Sequence, residues 1–191
     1  MGVDSGAYDT VMVLHVMCVI IGFGGVFLNG IYGAESKRRR GRDGLAVFEA
    51  TERVGKIAEV FILAVPVFGI ALIFMSHSQW KFSQAWIVAA LVIYAAALTL
   101  SFGFHLPNLR RMGGLMHELV TLSESPPAVA GGAVPADDPH AAAAMAAAGG
   151  PPPQAIELER RGKMAGVYGG LLNLAIVAVV ILMVWKPGGP H

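Results

Sequence analysis

Residues 11–32 read VMVLHVMCVIIGFGGVFLNGIY, and residues 35–40 follow as ESKRRR. The first stretch contains no Asp, Glu, Lys or Arg. It is as long as the roughly 20 apolar residues a helix needs to cross a bilayer. The segment before it carries Asp4 and Asp9 and no basic residue, while the basic cluster comes after it. A cleaved signal peptide has the opposite order, so the pattern predicts a retained anchor with its N-terminus outside.

Three more stretches of the same kind follow, at about 57–76, 85–106 and 164–185. Only 14% of the 191 residues are charged, 55% are hydrophobic and the mean hydropathy is +0.61. A soluble domain carries about 25% charged residues, so a water-soluble globule is excluded. The expected fold is all-α: one domain, a polytopic bundle of four transmembrane helices. Lys and Arg set its orientation. Seven lie in 33–56 (Lys37, Arg38, Arg39, Arg40, Arg42, Arg53, Lys56) and five in 107–163 (Arg110, Arg111, Arg160, Arg161, Lys163), against Lys81 and Lys186 elsewhere. Twelve against two predicts basic loops in the cytoplasm, both termini outside, and residence in a bacterial inner (plasma) membrane. Cys18 is the only cysteine, which rules out an intrachain disulfide.

Local signals refine the pattern. Asp43 is the expected N-cap of a second helix that starts well before the membrane. Pro107 clashes with the carbonyl four residues back, at Gly103, and predicts a kink there. Beyond it Leu109, Met112, Leu115, Met116 and Leu119 recur at helical spacing, as in an amphipathic extension. Residues 124–155, rich in Ala, Pro and Gly and lacking aromatics, read as a disordered cytoplasmic linker.

Polar residues inside the spans are the candidate site. His15, Cys18, Gly22, Gly25, Asn29 and Tyr32 form one stripe of the first helix. Gly162, Gly166, Gly170 and Asn173 do the same in the last, at the spacing that lets helices approach closely. Tyr94, Ala97, Ser101, His105 and Asn108 are in register in the third, and Glu59, Pro66 and Gly69 in the second. Together they predict a polar seam with Asn29, Glu59 and Asn173 among its members. His15 lies about four residues, roughly 6 Å, inside the outer boundary. An ionisable group there is either a ligand or proton carrier, or a neutral imidazole bonded to a neighbouring helix. His77, at a similar depth, is either its partner around a haem iron or an interfacial loop histidine. Glu59 is either a proton-relay group or the partner of Lys56 in an interfacial ion pair. No set of residues has metal-ligand spacing, and none identifies an enzymatic reaction.

Leu14-His15, Phe23-Gly24-Gly25, the basic loop after them and the ending Met183-Val184-Trp185-Lys186-Pro187 carry a resemblance. The chain resembles the group of small bacterial membrane proteins that includes HemJ-type protoporphyrinogen oxidases and copper-resistance D (CopD) proteins, and most of all a related family of predicted integral membrane proteins of unknown function. The resemblance implies haem b as cofactor with His15 as axial ligand; His77, by its similar depth, is the only other histidine that could complete a bis-histidine site. The chain differs from the HemJ-type pattern in having Phe23 where tryptophan is usual and Ala95 after Tyr94 where a histidine often stands. Three functions stay open: a haem-binding redox protein, a transport or permeation component with a polar helix seam, and a membrane scaffold. Expected partners are the lipid bilayer, anionic head groups at the basic loops, and a second copy or another membrane protein; nucleic acid is not expected.

Overall fold

Ser5 starts the first helix by accepting the Tyr8 N–H on its hydroxyl, and a computed structural model follows the chain from there through residues 5–39, 41–77, 79–124 and 150–187. Helix α1 is Gly6–Arg38, with Asp9 in its first turn and Lys37 and Arg38 in its last. Both ends therefore suit the helix dipole. Helix α2 is Gly41–Met75, α3 is Ala85–Leu100, α4 is Leu106–Glu124 and α5 is Pro153–Trp185. A π-helical turn, Ser101–His105, joins α3 to α4 in one continuous rod. The described residues contain no strand, and the four long helices are each apolar enough to span a membrane. The chain is an all-α, multi-pass integral membrane protein.

Each of the four continuous rods outruns its span. The 33 residues of α1 and the 35 of α2 measure about 50 Å at 1.5 Å per residue, against about 30 Å of hydrocarbon. Apolar length marks where lipid ends, whereas a helix stops only where its backbone is capped or broken. Hence α5 begins at Pro153, well before the expected 164, with proline in the first turn where its missing N–H costs nothing. Asp43 also differs from expectation. The helix already starts at Gly41, whose φ of +62° supplies the left-handed turn after α1, and Asp43 sits within the first turn instead of capping it. The expected linker 124–155 lies outside the described residues between 125 and 149, and its flanks belong to α4 and α5.

At Pro107 the rod accommodates the proline by widening. The Leu106 N–H reaches back five residues to the Ser101 carbonyl, so the π-helical turn lies directly before the ring. Such turns relieve a break in the i→i−4 ladder without ending the helix.

Helix α1 packs along α2, and α3 packs along α5, while α4 touches both α5 and α2. Two glycines bring α1 close to α2. A Cβ on Gly22 would lie 3.0 Å from Ile62 Cγ1, and one on Gly25 would lie 2.6 Å from Ala58 Cβ. Elsewhere large apolar side chains point outward, among them Ile20, Phe27, Val60 and Val184. In water that would be ruinous, but in a bilayer it is the solvated face.

Candidate functional site

Helix α2 is the centre of the polar seam, and Pro66 is the reason. Proline has no N–H, so the carbonyl four residues earlier, that of Ile62, loses its helical donor. The Tyr94 hydroxyl of α3 donates to that carbonyl. One residue before the proline, the Val65 carbonyl faces His15 Nδ1 at 3.0 Å. Gly69 then makes room for the imidazole, since a Cβ there would meet His15 Cε1 at 3.2 Å. As Nδ1–H donating to Val65, the ring keeps its lone pair on Nε2.

A cavity of about 60 Å³ lies where all four spans meet. Phe23 of α1, Glu59 and Ile62 of α2, Tyr94 and Ser101 of the third rod, and Leu172 of α5 line it. The Phe23 and Tyr94 rings lie 6.4 Å apart at 39°. Among the described residues, Glu59 is the only ionisable group on the wall besides the committed Tyr94 hydroxyl. It feels the charges of Arg110 and Lys56 from the basic end of the bundle.

Below His15 the stripe of α1 is packed against α2. Gly22 and Gly25 are filled by Ile62 and Ala58, so these glycines serve helix approach and leave no slot for a planar group between α1 and α2. His77 is exposed in the turn after α2, with φ +48°. Helix α2 continues six residues past Gly69 to Met75, roughly 9 Å, before that turn begins. The structure therefore does not bring His77 level with His15. His105 lies in the π-helical turn, edge-on to Tyr168 at 6.3 Å. Among the described residues no three His, Cys, Asp or Glu side chains group as a metal site.

Asn29 Nδ2 lies beside Gly55, where a Cβ would be 3.1 Å away, and its buried Oδ1 has no hydrogen-bond partner among the described residues. Asn173 turns back to its own helix, donating to the Gly169 carbonyl at 3.0 Å. The small-residue stripe of α5 also behaves differently from expectation. Gly166 and Gly170 face open space, and Gly162 alone is covered, by Lys37. Helix α5 turns its Leu172 and Val179 face into the bundle, and that face takes the packing the glycines were expected to provide.

No protein-family model, curated protein or solved structure matches the chain. The site must be judged on its own geometry.

Two clusters close the bundle at its ends. At the basic end, Lys37 Nζ donates to the Gly162 carbonyl at 2.9 Å, and buried Asn108 donates to the Arg161 carbonyl at 3.0 Å while accepting from its guanidinium. His117 meets Glu49 at 3.1 Å, and Arg42 pairs with Glu124. The hydrogen bond to Arg42 holds the Glu124 carboxyl below its ordinary value and raises the guanidinium correspondingly. At the other end Trp80 donates to the Tyr8 hydroxyl at 3.2 Å, stands edge-on to Trp86, and carries Lys186 Nζ 4.4 Å above its ring. Sequence reasoning missed this second cluster. Trp80 and Trp86 beside the end of a span, where aromatic residues gather at the membrane surface, were the available signal.

Proposed function

We propose that the chain is a bacterial inner-membrane protein, with both termini outside, that conducts protons through the cavity at Glu59. One observation carries the reading: all four spans converge on a carboxylate in an otherwise apolar cavity. An ionisable side chain between spanning helices is costly and tends to mark a path for ions or protons. Size narrows the permeant. Drug-sized ligands and cofactors occupy about 300–1,000 Å³, whereas about 60 Å³ accommodates only a few water molecules. Chemistry narrows it further. A dehydrated Ca²⁺ or Mg²⁺ ion needs about six or more oxygen ligands, and this wall offers one carboxylate and one serine hydroxyl beside a tyrosine already bonded. A proton carried on water needs neither a large space nor a coordination shell.

The test is flux. Proteoliposomes loaded with a pH-sensitive dye and driven by a potassium diffusion potential should acidify faster than empty vesicles. Glu59→Gln, with an unchanged melting temperature, should return them to the empty-vesicle rate. Wild-type vesicles no leakier than empty ones would end the proposal.

A second reading, haem b on His15, is favoured by one observation. The bond from His15 Nδ1 to the Val65 carbonyl orients the ring as ligating histidines are oriented, with Nε2 carrying the lone pair. Haem bound there would supply one-electron redox chemistry. The porphyrin does not fit between α1 and α2, because Ile62 and Ala58 fill the glycine cradle. A Soret band in protein from haem-replete cells, lost in His15→Ala, would establish this reading. A colourless protein that takes up no added haemin would remove it.

A further inference from the structure

Within the membrane the helices form two pairs, α1 with α2 and α3 with α5, and among the described residues α2 and α3 do not pack along each other. The cavity lies between the pairs, and Tyr94 and Ile62 are both on its wall. What joins α3 to α2 there is the hydrogen bond from the Tyr94 hydroxyl to the carbonyl that Pro66 deprives of its helical donor. With its helical donor gone, that carbonyl is an acceptor that nothing in α2 satisfies, and the hydroxyl takes it up. Glu59 lies one turn before Ile62 on the same wall.

We infer that Tyr94 is the latch of the Glu59 cavity: its hydroxyl holds α3 against the proline-freed carbonyl of α2, and breaking that bond opens the cavity along the seam between the two helix pairs. The inference rests on Glu59 being the working group of the cavity. Pro66 is then the other half of the device. It creates the acceptor that the latch needs. A purely structural tyrosine would also satisfy the carbonyl, but its loss would lower stability without altering access to Glu59.

Access is measurable without any flux assay. Dicyclohexylcarbodiimide is an apolar reagent that modifies carboxyl groups inside membranes, and mass spectrometry of the reconstituted full chain reads its adduct at Glu59. Tyr94→Phe keeps the ring and removes only the donor. It should speed labelling about 2- to 10-fold, the shift in equilibrium that loss of one hydrogen bond of ordinary strength allows. Pro66→Ala returns an N–H to the Ile62 carbonyl and should speed labelling in the same way. In that background Tyr94→Phe should add less, because the carbonyl already has its helical donor and the hydroxyl is only a second one. Labelling at the wild-type rate in Pro66→Ala overturns the inference, and so does a Tyr94→Phe effect that is undiminished in the double variant. Pro66→Ala decides the matter alone if Tyr94→Phe does not fold. The two proposals fail separately. Faster labelling in a protein that conducts no protons keeps the latch and removes the conduction. Conduction with labelling indifferent to both substitutions removes the latch alone.

Discussion

Placing a methyl group on Gly25 tests how closely α1 approaches α2. A Cβ there would lie 2.6 Å from Ala58 Cβ, whereas ordinary contact begins at 3.4 Å. The helices must therefore separate locally by about 0.8 Å, the difference of those two distances. Ala58 is 3% exposed and its Cβ is attached directly to the backbone, so no flexible side chain can swing aside. Overpacking of this kind costs about 1–3 kcal/mol. Separating α1 and α2 there would also stretch the bond from His15 to Val65. Gly166 is the control: its Cβ would meet nothing within 4 Å, and replacing a helical glycine by alanine gains about 0.5–1 kcal/mol where space allows. Unfolding in detergent micelles, followed by circular dichroism against denaturant, should show Gly25→Ala destabilised and Gly166→Ala unchanged or slightly stabilised. Removing the opposing methyl should rescue the first, so Gly25→Ala with Ala58→Gly should recover most of the loss. If Gly25→Ala is tolerated as well as Gly166→Ala, or if Ala58→Gly gives no rescue, the close approach is not there.

Two further predictions address the ends of the bundle. Ser83→Cys should react with a membrane-impermeant thiol reagent in intact cells and Ser123→Cys should not; the reverse pattern would invert the proposed orientation. Glu124 is held below its ordinary value of 4.5 by Arg42. Its contribution is therefore fully present above the unfolded value and is lost as the pH falls through the folded one. Glu124→Gln should lose the acid-side fall in stability that this pair causes and differ little from wild type in its pH dependence near neutrality. An acid limb identical in both proteins would show that the exposed pair does nothing, as many such pairs do.

Span number and helical class were legible in the sequence because both follow from local quantities. An uncharged run such as 11–32 must place its backbone polar groups in hydrocarbon, and a helix satisfies them within the segment. The amphipathic extension after Pro107 was legible for the same reason, since the period of Leu109, Met112 and Leu115 belongs to one helix. Even the freed Ile62 carbonyl can be deduced from Pro66 alone. Which neighbour meets a given face is another matter, because small residues and polar residues look alike in sequence whether they face a helix, a ligand or lipid. Gly22 and Gly25 share a stripe with polar His15 and Asn29 and are the contact with Ile62 and Ala58, while Gly166 and Gly170 read as a contact and proved open. His15 carried two readings until α2 presented the Val65 carbonyl to it. Local composition is enough to require that the chain live in a membrane as helices. That the hydroxyl of Tyr94, on a different helix, takes up the carbonyl Pro66 releases follows from the fold, because hydrogen-bond partners 32 residues apart are chosen by packing and not by local periodicity.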